Sequence, residues 1–212
     1  MIRRTRFLFL SIAFMAALLL AAPWSPPWSD DKPFQAGKAA DYSHQLSEQV
    51  LVGAKPFDNA DLVADAFGKK IDLLKYGVLP VLVVVENKRD KSIDLKDMEV
   101  TLVASDGRHV SPISADELPM LAKDGHRRPK QPGEGIPLPL PQKKNPLQGQ
   151  ELFARAFLAK MLPPGDSTSG FFYFEAQSEV GDSIYLSGMK DARSGKEILY
   201  FEFPLKTEKA KN

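Results

Sequence analysis

Val78 to Val85 reads VLPVLVVV, a run with no polar side chain and mostly β-branched residues. A strand of this composition is apolar on both faces. It is therefore expected to be a central strand with packed material on each side. Pro80 has no N–H to give to a ladder, so it is expected to mark a bulge or a strand start. Asn87 to Ser92 then supplies a polar turn.

Strand signals recur on either side of this run. QVLVGAKPF reads as a first strand, so the folded region is expected to start near Gln49. MEVTLVAS alternates, with Met98, Val100, Leu102 and Ala104 on one face. Asp106-Gly107 is a hairpin turn that returns the chain through RHVSPIS. Three strands close the chain: GFFYFEAQ, DSIYLSGM and KEILYFEFPL, the last two joined by a turn over Ala192 to Gly195. In the last one, Leu199, Phe201, Phe203 and Leu205 share one face and are expected in the core.

Two helices are expected among the strands. The first covers about 58–67, with Asp58 as N-cap and Gly68 as its end. The second covers about 146–161, where Phe153, Phe157 and Met161, and Ala154, Leu158 and Leu162, recur at a four-residue step. Strand is the alternative there. Short strands at turn-marked spacing, without alternating helices, predict an all-β sandwich whose helices are inserts. The domain is expected over 49–206, with a Pro-rich loop over 123–146 and a polar tail over 207–212.

The N-terminus reads differently. Arg3, Arg4 and Arg6 precede an apolar run from Phe7 to Ala22, which is the pattern of an export signal. Residues 1–22 are read as a signal peptide or a retained signal-anchor. Pro23 after Ala22 disfavours cleavage, and Trp24 and Trp28 suit a membrane interface. A possible membrane tether thus runs through residues 7–22. Residues 23–48 are read as a Pro-rich linker and lead-in. With no cysteine, the chain has no disulfide, thiolate ligand or lipidated cysteine. A net charge of +1, with no strong basic bias, argues against a nucleic-acid backbone as the main partner.

Two stretches, KIDLLKYGVLPVLVVVENKRDKSIDL and LPPGDSTSGFFYFE, carry a resemblance. Together they resemble uncharacterised exported bacterial immunoglobulin-like domains, many of them lipoproteins. The resemblance spans about Gln49 to Leu205. It implies an immunoglobulin-like β-sandwich and an extracytoplasmic location, in the periplasm or cell envelope. It implies no reaction, and the missing cysteine puts lipid anchoring outside what carries over.

The chemical candidates are thin. Gly165-Asp166-Ser167 and Gly181-Asp182-Ser183 look like serine-hydrolase nucleophile motifs. The first lacks the glycines that build an oxyanion hole, and no histidine follows the second. Both read as turns that launch strands. Asp58, Asp61 and Asp65 fall near one helix face but lack calcium-loop spacing. His44, His109 and His126 have no local metal spacing. No catalytic residue, metal ligand or cofactor is therefore assigned. The interaction candidates are Arg127, Arg128, Lys130, Lys143 and Lys144, which flank the PLPLP stretch of the long loop. That stretch has the composition of an extended peptide read by aromatic grooves.

These readings converge on an exported, non-catalytic binding or accessory module. Its partner is expected to be an envelope protein or envelope component. The alternatives are a membrane-anchored structural subunit of an envelope complex and a hydrolase with a site assembled from distant residues.

Overall fold

The computed structural model describes residues 34–124, 145, 147–198 and 200–205. In chain order the first half forms β1 (Ser43–Ser47), β2 (Val50–Pro56), α1 (Ala60–Phe67), β3 (Val78–Asn87), β4 (Ile93–Asp94) and β5 (Glu99–Val103). There follow β6 (His109–Val110), β7 (Pro112–Ile113), α2 (Leu118–Asp124) and α3 (Gln150–Arg155). The chain closes with β8 (Met161–Leu162), β9 (Ser167–Glu175), β10 (Ser183–Ser187), β11 (Lys190–Asp191) and β12 (Phe201–Pro204). Among the described residues, no helix is long and apolar enough to cross a membrane.

The strands build a β-sandwich, with every pairing between them antiparallel. One sheet has the order β1-β2-β3-β9-β7, and the facing sheet has β12-β10-β5-β6. A small third sheet, β11-β4-β8, lies apart from both in its pairing. β6 and β7 are edge strands of different sheets and only Ser111 separates them. The chain thus crosses from one sheet to the other within one residue.

β3 is buried on both faces, as its composition demands. Val81, Val83 and Val85 pack with Val100, Leu102, Ile184, Leu186, Phe201 and Phe203 between the sheets. Leu82 and Val84 point the other way. They meet a second cluster that includes Val63 and Phe67 of α1, Leu118, Leu147 and Leu152. Helices and lead-in residues therefore cover the outer face of the first sheet. Each buried side chain of this size contributes about 1.5–3 kcal/mol.

Pro80 corrects the expectation of a bulge or strand start. It is the third residue of β3, in unbroken register opposite Tyr173. Its carbonyl accepts from Phe57 N at 2.8 Å, on the side of β2. The missing N–H faces that same side. The regular β2 ladder has ended there, at Pro56 opposite Val81, so the proline costs that ladder no bond.

Order also begins before Gln49. β1 pairs with β2 through a tight hairpin whose turn residues, Glu48 and Gln49, both have positive φ. Upstream, buried Ala39 lies so close to Gly53 that a Cβ there would stand 2.3 Å from its carbonyl oxygen. Phe34 reaches the second cluster, with its ring centroid 5.5 Å from that of Phe171. The polar, short β1 carries little apolar alternation, so its sequence looked like linker.

The helix expected over 58–67 forms as α1 and ends at Gly68, but its N-cap is Asn59, not Asp58. The Asn59 side chain accepts from Leu62 N at 2.9 Å. The helix expected over 146–161 is much shorter. α3 stops at Arg155, and Ala156 turns extended to bridge Phe171 in parallel. Phe157 N–H then donates to the Phe171 carbonyl at 3.1 Å. The edge of β9 captures backbone that would otherwise have continued the helix. The strand alternative holds at the far end, where Met161–Leu162 form β8. The Ala192 to Gly195 turn is where the sequence put it, and Phe201 and Phe203 point into the core. Leu199 lies outside the described residues, as do residues 1–33 and 206–212.

Candidate functional site

An apolar groove of about 390 Å³ runs along the outer edge of β9. One wall is β7 and the turn after it, with Ile113 opposite Tyr173 and Pro112 opposite Phe174. The other wall is the last part of α3 and the extended segment that follows it. Phe171 and Phe172 of β9 lie between them.

The α3 wall is positioned by two devices. The buried Tyr173 hydroxyl donates to the Leu152 carbonyl at 2.7 Å. Burial pushes that phenol well above its ordinary pKa, so it stays a neutral donor. With Leu152 turned inward, its neighbour Phe153 is left 45% exposed on the groove side. The second device is Gly170, which lets the Phe157 backbone cross β9 at close range. Phe157 stacks on Phe172 with centroids 5.3 Å apart. Leu158 is 70% exposed at the mouth.

Polar groups touch only the rim, at Ser114 and Asp116. The Asp116 carboxyl is held below the usual carboxylate range, first by a hydrogen bond from Ser114. The Arg155 guanidinium, not part of the groove lining, sits 5.5 Å from the Phe34 ring centroid and 6.0 Å from that of Phe67. Its charge is thus engaged with aromatic faces. An apolar trough with one rim carboxylate suits an apolar ligand.

The basic candidates Arg127, Arg128, Lys130, Lys143 and Lys144 lie outside the described residues, as does the PLPLP stretch. What is described is where their segment is anchored. α2 follows directly from the β7 wall, and Asn145 Nδ2 donates to the Pro119 carbonyl at 2.7 Å. The Asn145 Oδ1 in turn accepts from Leu147 N at 3.0 Å. Leu118 and Leu147 are fully buried beside these bonds.

Both Gly-Asp-Ser copies are turns. Gly165 has φ +76, its N–H donates to the Asn87 carbonyl, and the Asp166 carbonyl accepts from Asn87 N. Ser167 opens β9 and is exposed. In the second copy Gly181 has φ +103 and Asp182 is buried. The Asp182 carboxylate accepts from Ser105 N at 3.0 Å and Glu179 N at 2.8 Å. It fastens a turn rather than orienting a base.

Asp61 and Asp65 are exposed on α1, and among the described residues no group of three ligating side chains gathers. His44 and His109 are exposed on strands of different sheets, and His126 lies outside the described residues. The sequence reading missed the groove because it assigned Phe153 and Leu158 to buried stripes of a long helix.

No family model and no curated protein sequence matches this chain. Its structure is similar to that of ycdA from Bacillus subtilis, described as a lipoprotein, with a TM-score of 0.37 and 12% identity. That match covers 77% of this chain and 38% of ycdA, so the chain spans well under half of that protein's length. It is also similar to MPT63, a secreted protein from Mycobacterium tuberculosis, with a TM-score of 0.35 and 15% identity. Here 81% of this chain and 98% of MPT63 are covered.

Proposed function

We propose that this chain is an exported, non-catalytic binding module of the cell envelope, and that the groove beside β9 is its contact surface. The groove is the observation that carries the reading. Its volume falls in the range of ligand-sized sites, and its walls are almost wholly apolar. Phe153 and Leu158 are exposed there although a folded chain gains by burying such side chains. Export is supported by the basic start and apolar run of residues 3–22.

The chain has no cysteine, so one introduced thiol is unique. Leu158→Cys in the full chain, expressed in its native cell, tests both parts. A membrane-impermeant maleimide is expected to label it in cells whose outer envelope has been opened and whose inner membrane is intact; labelling only after the inner membrane is lysed overturns export. A thiol cross-linker is expected to capture a discrete adduct from Leu158→Cys and not from Glu197→Cys, an exposed position outside the groove. Equal adducts from both positions, or none from either, overturn the groove as contact surface.

A further inference from the structure

We propose that the groove beside β9 takes a single unbranched alkyl chain whose polar end is an ammonium group. This names a ligand class for the proposed contact surface, so it rests on that reading; it does not depend on export.

Hydrogen bonding, volume and charge each narrow the ligand. Among the described residues, the backbone that floors the groove leaves no strand edge free. The Phe171 carbonyl already accepts from Phe157 N, and Tyr173 is paired with Ile113. On the β7 wall Pro112 has no N–H, and Ser114 N donates to the Glu117 carboxylate at 3.2 Å. The Tyr173 hydroxyl is bonded to the Leu152 carbonyl. An extended peptide laid here would desolvate its own amides against apolar side chains without pairing them. A hydrocarbon chain has no such groups and gains from every methylene it buries. The volume sets its size. An apolar cavity of about 150 Å³ takes one benzene, so the 390 Å³ here suits a chain of about twelve carbons. Charge sets its end. Among the described residues Asp116 is the one charged side chain of the lining, exposed at the rim with Ser114 donating to it. It is ionised at neutral pH, so it repels a carboxylate, sulfate or phosphate end and accepts from an ammonium. The Arg155 guanidinium lies outside the lining, over Phe34 and Phe67, and does not cancel that preference.

The probe is dodecylamine carrying a diazirine near the end of its chain, photolysed with the purified full chain. Labelled peptides are mapped by mass spectrometry, which separates the groove from the apolar run of residues 7–22. Dodecanoic acid with the same diazirine is the comparison. At equal free concentration the amine is expected to label 112–116 and 153–158 at least about threefold more than the acid. Unlabelled alkylamines of eight to twelve carbons are expected to compete about two- to fourfold more effectively for each added methylene, at measured free concentrations. Phe153→Gln with Leu158→Gln is expected to abolish groove labelling; both side chains are exposed, so the fold is kept. Asp116→Asn is expected to bring amine and acid to equal labelling with the groove still occupied. Equal labelling by both probes in the unaltered chain, or competition that does not depend on chain length, overturns the proposal. Displacement of the probe by an amphipathic leucine-rich helix at lower concentration than by dodecylamine makes the groove a helix-docking surface and overturns it too. So does absence of groove labelling; the contact surface then stands if Leu158→Cys still captures its adduct, and falls as well if it does not.

Discussion

Gly170 and Phe157 approach so closely that a Cβ on the glycine would stand 2.4 Å from the Phe157 Cα and 2.6 Å from its nitrogen. Backbone, not a flexible side chain, occupies that space. Gly170→Ala must therefore push the segment after α3 away from β9 and weaken the Phe157–Phe171 hydrogen bond. The expected loss is about 1–3 kcal/mol, read as a lowered urea midpoint with unchanged slope. A fully stable Gly170→Ala chain would refute this account of the groove wall.

Asn87 is the polar hub where β3 ends. It is almost fully buried. Its side-chain nitrogen lies 2.8 Å from the Lys91 carbonyl oxygen, 3.1 Å from that of Leu162 and 2.9 Å from that of Pro163. Its side-chain oxygen accepts from Arg89 N at 3.0 Å. Asn87→Ala removes the partner of the buried Leu162 carbonyl and of three part-buried groups, and a buried group left unsatisfied costs about 1–3 kcal/mol. Thermal melting is expected to show one of the larger losses of any single polar substitution. A shift no greater than that of a surface substitution would contradict it.

The two Gly-Asp-Ser turns give opposite expectations for neighbouring residues. Ser167→Ala and Ser183→Ala are expected to change stability by less than about 0.5 kcal/mol and to leave any activity intact. Asp182→Ala is expected to cost about 2 kcal/mol or more, because it orphans the N–H groups of Ser105 and Glu179. Loss of an activity in either serine variant with melting unchanged would reopen the hydrolase reading.

How much of this was legible beforehand depended on whether a residue's role is set locally. The burial of β3 on both faces follows from its own eight apolar residues. The turns follow from Gly107, Gly165, Gly181 and Gly195, each with positive φ. The end of α3 does not. Phe153 to Leu162 has a four-residue apolar step, and only the free edge of β9 decides that the backbone leaves the helix at Ala156. β1 was hidden for the same reason: its partner β2 selects it, not its own pattern. The groove is made by the first of these, the departure from α3 at Ala156, and so escaped the sequence reading.

Asp191 is the buried carboxylate of the small third sheet. Its carboxylate accepts from Ser194 N at 2.9 Å, from the Ser194 hydroxyl at 2.9 Å and from Arg193 N at 3.1 Å. Arg89 Nη2 donates to its other oxygen at 3.0 Å, with both side chains largely buried. The Ser194 hydrogen bonds, then that of Arg193 and the charge of Lys91, hold its carboxyl below the ordinary value. The folded state thus binds this proton more weakly than the unfolded chain, whose aspartate titrates near about pH 3.9. The stabilisation is complete above that pH and is lost as pH falls through the lower folded value. Asp191→Asn is expected to flatten the acid limb of stability below about pH 4 and to lower stability at neutral pH. Urea unfolding of both chains between about pH 2 and 7 reads the difference directly. Parallel curves across that range would mean that Asp191 is not the group responsible.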